Sequence, residues 1–251
     1  MAPAAIELIR PDWPAPAHVR AVSTTRAGGY SSGPYAALNL GPHVGDDPQT
    51  VARNRRALNR TLNRNMVPCW LDQVHGPDVV IADAVTATAG EPVAADASMT
   101  GEVATACAIM TADCLPVLLT DRGGRFVAAA HGGWRGLVAG ILENTVGAFA
   151  GQGITPVELI AWLGPAISPG AYEVDAAVAG ALRDADRAAL TPASPGHWQL
   201  DLYGLARLRL AACGVEAVFG GDFCTSAEPE RFFSYRRDGV CGRQATLIWL
   251  E

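Results

Sequence analysis

The chain has 251 residues, 49% of them hydrophobic and 18% charged, and its 19 basic residues, all Arg, face 25 acidic ones. The absence of Lys excludes Schiff-base catalysis and a Lys-bearing phosphate loop, and five His cannot furnish the roughly ten imidazoles of a multicopper centre, at one to three per copper. A net charge of −6 without a basic run argues against nucleic-acid binding.

The length suits one large domain or two small ones, and no composition break marks a boundary, so residues 1–251 read as a single domain. The first residues, MAPAAIELIRPDWP, carry neither a basic start nor an unbroken apolar stretch. No window reaches the ~18 apolar residues of a spanning helix. Cys69, Cys107, Cys114, Cys213, Cys224 and Cys241 are scattered without a CxxC pair. A reduced, cytoplasmic protein without a membrane role is expected.

In chain order, Thr24–Asp47 reads as a long loop rich in Gly, Ser and Pro, of the kind that lines a site. Asp47-Pro48 starts a helix with Val51, Leu58 and Leu62 on one face. Short apolar runs predict strands at Val67–Leu71, Asp78–Ala82, Val103–Met110, Leu115–Thr120 and Phe126–Ala130, the last two joined by a hairpin turn at Arg122–Arg125. A helix is predicted from Trp134 to Ala150, a strand over Val157–Leu163 and an Ala-rich helix over Tyr172–Leu190. Asp201 caps a helix ending at Cys213, and Val215–Phe219 and Ala245–Leu250 are late strands. Strand clusters interrupted by helices imply an α+β layered sandwich of mixed β-sheets with covering helices.

Three segments place reactive groups at strand ends: Gln73-Val74-His75-Gly76, Thr111-Ala112-Asp113-Cys114 and His131-Gly132-Gly133-Trp134-Arg135. Antiparallel pairing across the hairpin brings Cys114 and His131 to one end of the sheet. They can then be nucleophile and base, or metal ligands with His75 as a third, a donor set suited to Zn²⁺, or an ordinary core Cys with hydrogen-bonded histidines. Anion binding falls to the N-terminus of the helix after Gly133 and to Arg: Arg55, Arg135, Arg236, Arg237 and Arg243 are candidates. Trp134, Phe233 and Tyr235 can stack a planar base, and Asp113 or Glu173 can carry a proton.

The stretches TTRAGGYSSGPYAALNLGPHVGDDP, VARNRRAL, WLDQVHG, TADCLPVLL, HGGWRGL, GPAISPGAYEV, LDLYGLARLRL and FFSYRRDGVCGRQATLIWL run in order from about Ser23 to the last residues. Together they resemble the multicopper polyphenol oxidoreductase (laccase-like) family, also called the peptidoglycan editing factor and purine nucleoside phosphorylase family. The resemblance implies a fold similar to the cytotoxic-necrotizing-factor-type Cys-His catalytic domain. It implies a metal and catalytic trio at His75, Cys114 and His131, occupied by Zn²⁺, with Cu²⁺ an older attribution. It further implies phosphorolysis of adenosine, inosine and methylthioadenosine to free base and ribose 1-phosphate, and adenosine deamination. The expected partners are therefore purine nucleosides and phosphate, and the oligomeric state stays open. Arg55 and Arg135 are the expected phosphate ligands; Trp134, Tyr235 and Arg236 complete the expected substrate contacts, with Asp113 beside the trio. Alternatives are a Cys-His amidase acting on cell-wall precursors, a non-catalytic zinc-stabilised binding protein, and a copper polyphenol oxidase. Two positions depart from the family pattern: Gly132 where Ala is usual, and Cys241 where Thr is usual.

Overall fold

Alternation along Thr105–Thr111 sends Cys107 and Ile109 to one face and Ala106, Ala108 and Met110 to the other, and both faces are buried. A strand covered on both sides needs no polar alternation, which accounts for its unbroken apolar run. The computed structural model describes residues 4–62, 66–88 and 90–251. The first three residues of the N-terminal stretch considered above lie outside them.

Two six-stranded mixed sheets stack face to face. The first has the order Leu8–Ile9, Val19–Thr24, Gln244–Leu250, Thr105–Thr111, Val67–Asp72, Val93–Ala94. The second has the order Ala217–Gly220, Leu159–Leu163, Leu115–Asp121, Val127–Gly132, Ala97–Thr100, Val79–Ile81. Cys69, Cys107, Ile109 and Ile248 of the first meet Leu118, Val127, Ala129 and Trp162 of the second in the central core. Beyond the second sheet, Leu137, Ile141, Phe149 and Leu205 from three helices (Trp134–Ala139, Ile141–Ala150 and Leu202–Ala212) pack on Leu115, Val117 and Leu119. Beyond the first, Leu58 of helix Pro48–Leu62 joins Leu38 and Leu40 over Ala108, Met110 and Leu247. The molecule is thus an α+β layered sandwich, as the element pattern indicates.

The predicted hairpin forms, with Pro116 opposite His131 and Leu115 opposite Gly132. Its turn is organised by the Asp121 carboxylate, which accepts from the backbone N–H of Gly123, Arg125 and Phe126 at 2.8–3.1 Å.

Three elements differ from expectation. The helix starting at Trp134 breaks at Gly140, whose φ of 98° ends one helix and starts the next. Tyr172–Leu190 is not one helix. Glu173–Asp175 is drawn into pairing with His197–Gln199, and Asp175 then caps the short helix Ala176–Ala181 by accepting from Ala177 and Val178 N–H. A 3₁₀ segment, Asp184–Ala189, follows. Ala content favours helix, but strand pairing and a capping Asp override it locally. Val157–Leu163 starts as a 3₁₀ turn over Pro156–Glu158, and the strand begins at Leu159. Val19–Thr24 and Ala97–Thr100, interior strands of the two sheets, have no counterpart in the sequence reading.

Candidate active site

Ala112-Asp113-Cys114 carries the chain from the first sheet to the second, between Thr105–Thr111 and Leu115–Asp121. Cys114 therefore sits at an edge of the sandwich shared by both sheets. Val67–Asp72 runs parallel to Thr105–Thr111, so the loop after it brings His75 to the same edge, and the hairpin register brings His131. The ligand atoms of His75, Cys114 and His131 lie within 4.8 Å of one another. Cys114 Sγ is 3.9 Å from His75 Nε2, and the two imidazoles meet edge to face at 4.7 Å between centroids. His131 is buried, Cys114 half-buried and His75 exposed.

Asp96, wholly buried at the head of the Ala97–Thr100 strand, orders the trio. Its Oδ1 accepts from His131 Nδ1 at 2.7 Å and from His75 N–H at 3.0 Å. Its Oδ2 accepts from Gly76 N–H at 2.7 Å and Val74 N–H at 3.1 Å. The His131 contact fixes the tautomer that leaves Nε2 as the free donor atom, as for a metal-ligating His backed by a carboxylate. The backbone bonds hold His75 in a left-handed conformation, φ 61°, which is uncommon for a residue with a side chain. Burial opposes ionisation of Asp96, but the hydrogen bonds from His131, Gly76 and His75 outweigh it and keep the carboxyl below its usual range.

The electrostatics of the trio are coupled. Burial opposes the Cys114 thiolate, yet the charge of His131 and hydrogen bonds from both imidazoles bring its pKa down to about 6. Burial likewise opposes the His131 imidazolium, while the Cys114 charge and the Asp96 hydrogen bond raise it to about 9. A thiolate is the form that ligates a metal or attacks a carbon. Tetrahedral zinc, with bonds of about 2.3 Å to sulfur and 2.0–2.1 Å to nitrogen, separates such ligands by about 3.5 Å. The observed 3.9 Å and the soft-plus-imidazole donor set fit a metal ion with three protein ligands. Gly133 is part of this fit: a Cβ there would stand 2.9 Å from His75 Cδ2 and 3.2 Å from Cys114 Sγ.

Two depressions flank the trio. The first, about 360 Å³, is walled by His43, Gln73, Met110, Tyr235 and Arg243. The second, about 270 Å³, is walled by Asp113, Trp134, Arg135, Tyr172, Tyr235 and Arg236. Both reach His75 and Cys114, and together they fall in the size range of small-molecule sites, about 300–1,000 Å³.

Among the candidate residues, Trp134, Arg135, Tyr235 and Arg236 come together in the second depression. Arg135 is exposed and lies 4.5 Å from the Trp134 ring. Arg55 is placed elsewhere. Its Nε donates to Leu40 O at 2.9 Å, its guanidinium covers the Trp70 ring at 4.1 Å, and it lines a separate depression behind His43 and Met110. Arg55 and Arg135 are therefore not two sides of one pocket. Asp113, at φ 89°, accepts from Thr225 Oγ1 at 2.6 Å and from Arg236 N–H at 2.7 Å, so both carboxylate oxygens hold the turn that presents Tyr235 and Arg236. Phe233 is fully buried beneath the Arg26 guanidinium and cannot stack a ligand. Arg237 is occupied by Asp238 and the carbonyls of Thr225, Ser226 and Phe232. Cys241 is buried against Phe233 and Ala112. Sequence alone assigns no role to Asp96 or His43 and names Gln73 only as the first residue of the His75 segment. The one signal for Asp96 is a lone acid inside the small apolar run AADASM.

An α+β sandwich with two imidazoles and a thiolate on a shared edge, backed by a buried carboxylate and flanked by two small-molecule depressions, defines a Cys–His site protein able to hold a metal. The chain belongs to the multi-copper polyphenol oxidoreductase laccase family, which it matches over residues 20–251. It is 52% identical to a purine nucleoside phosphorylase of Pseudomonas aeruginosa, covering 97% of this chain and 98% of the relative. It is 51% identical to purine nucleoside phosphorylase YfiH of Escherichia coli, covering 97% and 99%. The crystal structure of Neisseria meningitidis protein NMB0706 superimposes with a TM-score of 0.91 at 48% identity, covering 97% and 99% of the two chains. No helix among the described residues is long and apolar enough to cross a membrane.

Proposed function

We propose that the protein cleaves purine nucleosides with phosphate at a zinc site formed by His75, Cys114 and His131. The substrates are adenosine, inosine and methylthioadenosine, the products free base and ribose 1-phosphate, and adenosine deamination is a second activity of the same pocket. The observation that carries the reading is the trio itself, a thiolate and two imidazoles with one imidazole oriented by Asp96. The similarity to purine nucleoside phosphorylases supports the reaction class.

Breaking an N-glycosidic bond places positive charge on the ribose and negative charge on the purine. His75, Cys114 and His131 would hold a zinc ion, which would supply Lewis-acid polarisation. The chain's own residues do the rest. Trp134 and Tyr172 offer aromatic surface for the base, and Tyr235, 61% exposed between the two depressions, covers the sugar. Arg236 is braced against Glu173 O at 2.7 Å and the Tyr172 ring, which places a fixed cation beside the leaving group. Asp113 acts as a positioning residue, because its oxygens are spent on Thr225 and Arg236. The test follows adenine and inosine by chromatography after incubating zinc-loaded protein with adenosine and phosphate; forming neither overturns the reading.

One observation favours a second reading. Cys114, His131 and Asp96 also make a thiolate–imidazole–carboxylate series, the arrangement of a Cys-His amidase. In that case metal-free protein hydrolyses amides of cell-wall precursors and loses activity on alkylation of Cys114. Under the zinc reading, bound metal shields Cys114 from iodoacetamide.

A further inference from the structure

The long Gly-rich loop Thr24–Asp47 ends beside the trio, and the function proposed above makes no use of it. Two buried amides build it. Asn54 accepts from Tyr30 N–H and donates to Asn39 O, both at 2.8 Å. Asn39 Oδ1 in turn accepts from Gly41 N–H and Arg243 N–H, both at 2.9 Å. The loop is pressed onto Arg243 so closely that a Cβ on Gly41 would stand 2.7 Å from Arg243 Cγ. This construction sets His43 at the rim of the first depression, with Arg243 in its wall.

Among the described residues neither cation here is bonded to an acid, although Asp72 and Glu91 line the depression that Arg55 lines. Arg243 Nη1 donates to the carbonyls of Cys241 and Gly242 at 3.0–3.1 Å. Arg55 bonds Leu40 O and Met110 Sδ. Both are half-buried, and among the described residues neither bonds a carboxylate. Burial and the charge of Arg243 lower the His43 pKa, with Asp72 opposing. His43 lines both depressions, beside Arg243 in the first and beside Arg55, Asp72 and Glu91 in the other. Arg243, a half-buried guanidinium in a depression whose lining holds no acid, is complementary to an oxyanion.

We propose that His43 and Arg243 form an oxyanion subsite in the first depression, on the Met110 side of the trio, with Arg55 behind His43, and that inorganic phosphate binds there while the purine occupies the Trp134–Tyr172 depression. The identity of the oxyanion rests on the phosphorylase reading. In the reaction a phosphate oxygen bonds to C1′ as the C1′–N bond breaks. The bonding pair leaves on the purine, and the proton lost by hydrogen phosphate ends on the purine nitrogen. Arg135, on the purine side, is outside this subsite.

The test uses zinc-loaded full-length protein with inorganic phosphate alone, followed by ³¹P line broadening, and then steady-state kinetics of His43→Gln and Arg243→Lys. Phosphate broadening in the wild type is expected to weaken in both variants. The KM for phosphate is expected to rise about tenfold, the loss of one charge-assisted hydrogen bond, while the KM for the nucleoside moves less and zinc content stays at the wild-type level. An active enzyme whose phosphate KM is unchanged in both variants overturns the subsite and leaves the phosphorylase reading standing. Phosphate binding that depends on His43 and Arg243 in a protein without phosphorolysis does the reverse. No phosphate binding in the wild type and no phosphorolysis overturns both.

Discussion

Asp96 Oδ1 accepts from His131 Nδ1 at 2.7 Å, and the same carboxylate holds the backbone of the His75 loop through three N–H groups. One buried side chain therefore sets both the tautomer of one imidazole and the position of the other. Asp96→Asn keeps the shape but loses the charge. Zinc affinity is expected to fall about 10- to 100-fold, as for lost outer-shell carboxylates. Competition with a colorimetric chelator measures this, and an unchanged affinity contradicts the role given to Asp96.

Gly133 is close-packed against two of the three candidate ligands. Gly133→Ala is expected to force His75 and Cys114 apart, with loss of bound zinc and an overpacking cost of about 1–3 kcal/mol. Circular dichroism and metal analysis on one sample separate the two effects. A folded variant with full zinc content counts against the assigned geometry.

The metal-free protein gives a pH prediction. Cys114 is lowered to about 6, so the stability it contributes is lost as pH falls through that value. His131 is raised to about 9, so its contribution is lost as pH rises through that value. Between roughly pH 6.5 and 8.5 the pair holds one proton in both states, on the thiol when unfolded and on His131 when folded. The unfolding midpoint should therefore be insensitive to this pair across that window. Alkylation by iodoacetamide should not be: its rate is expected to reach half-maximum near pH 6. A midpoint near that of a free thiol, about 8.5, contradicts the coupling.

Asp113 supports the turn carrying Tyr235 and Arg236. Asn tolerates the left-handed backbone at this position but cannot accept both bonds. Asp113→Asn is expected to raise the nucleoside KM about tenfold with a smaller fall in kcat. Loss of kcat alone, with a shifted pH profile, would instead make Asp113 the proton carrier.

Much of the fold was legible because its signals are local. Asp47-Pro48 announces its helix, and the Arg122–Arg125 turn lies midway between Cys114 and His131, so their meeting follows from strand pairing. What was not legible depends on contacts distant in sequence. Asp96 is meaningful only because Val74–Gly76 and His131 converge on it. His43 acquires a place only when Asn39 and Asn54 fold its loop against Arg243. The Tyr172–Leu190 stretch is rich in Ala, but its first residues pair with His197–Gln199, which no helical periodicity records. Arg55 and Arg135 both read as anion ligands, and only the stacking of the layers shows that they serve different depressions.

The proposed function requires a phosphorolytic zinc site at His75, Cys114 and His131. Its most direct test measures adenine and ribose 1-phosphate formed from adenosine and phosphate as a function of zinc bound per chain. Equal amounts of the two products are expected, rising in proportion to zinc up to one ion per chain, with none from a folded Cys114→Ala variant. Full activity in chelator-stripped protein, or no products at one zinc per chain, would contradict the account.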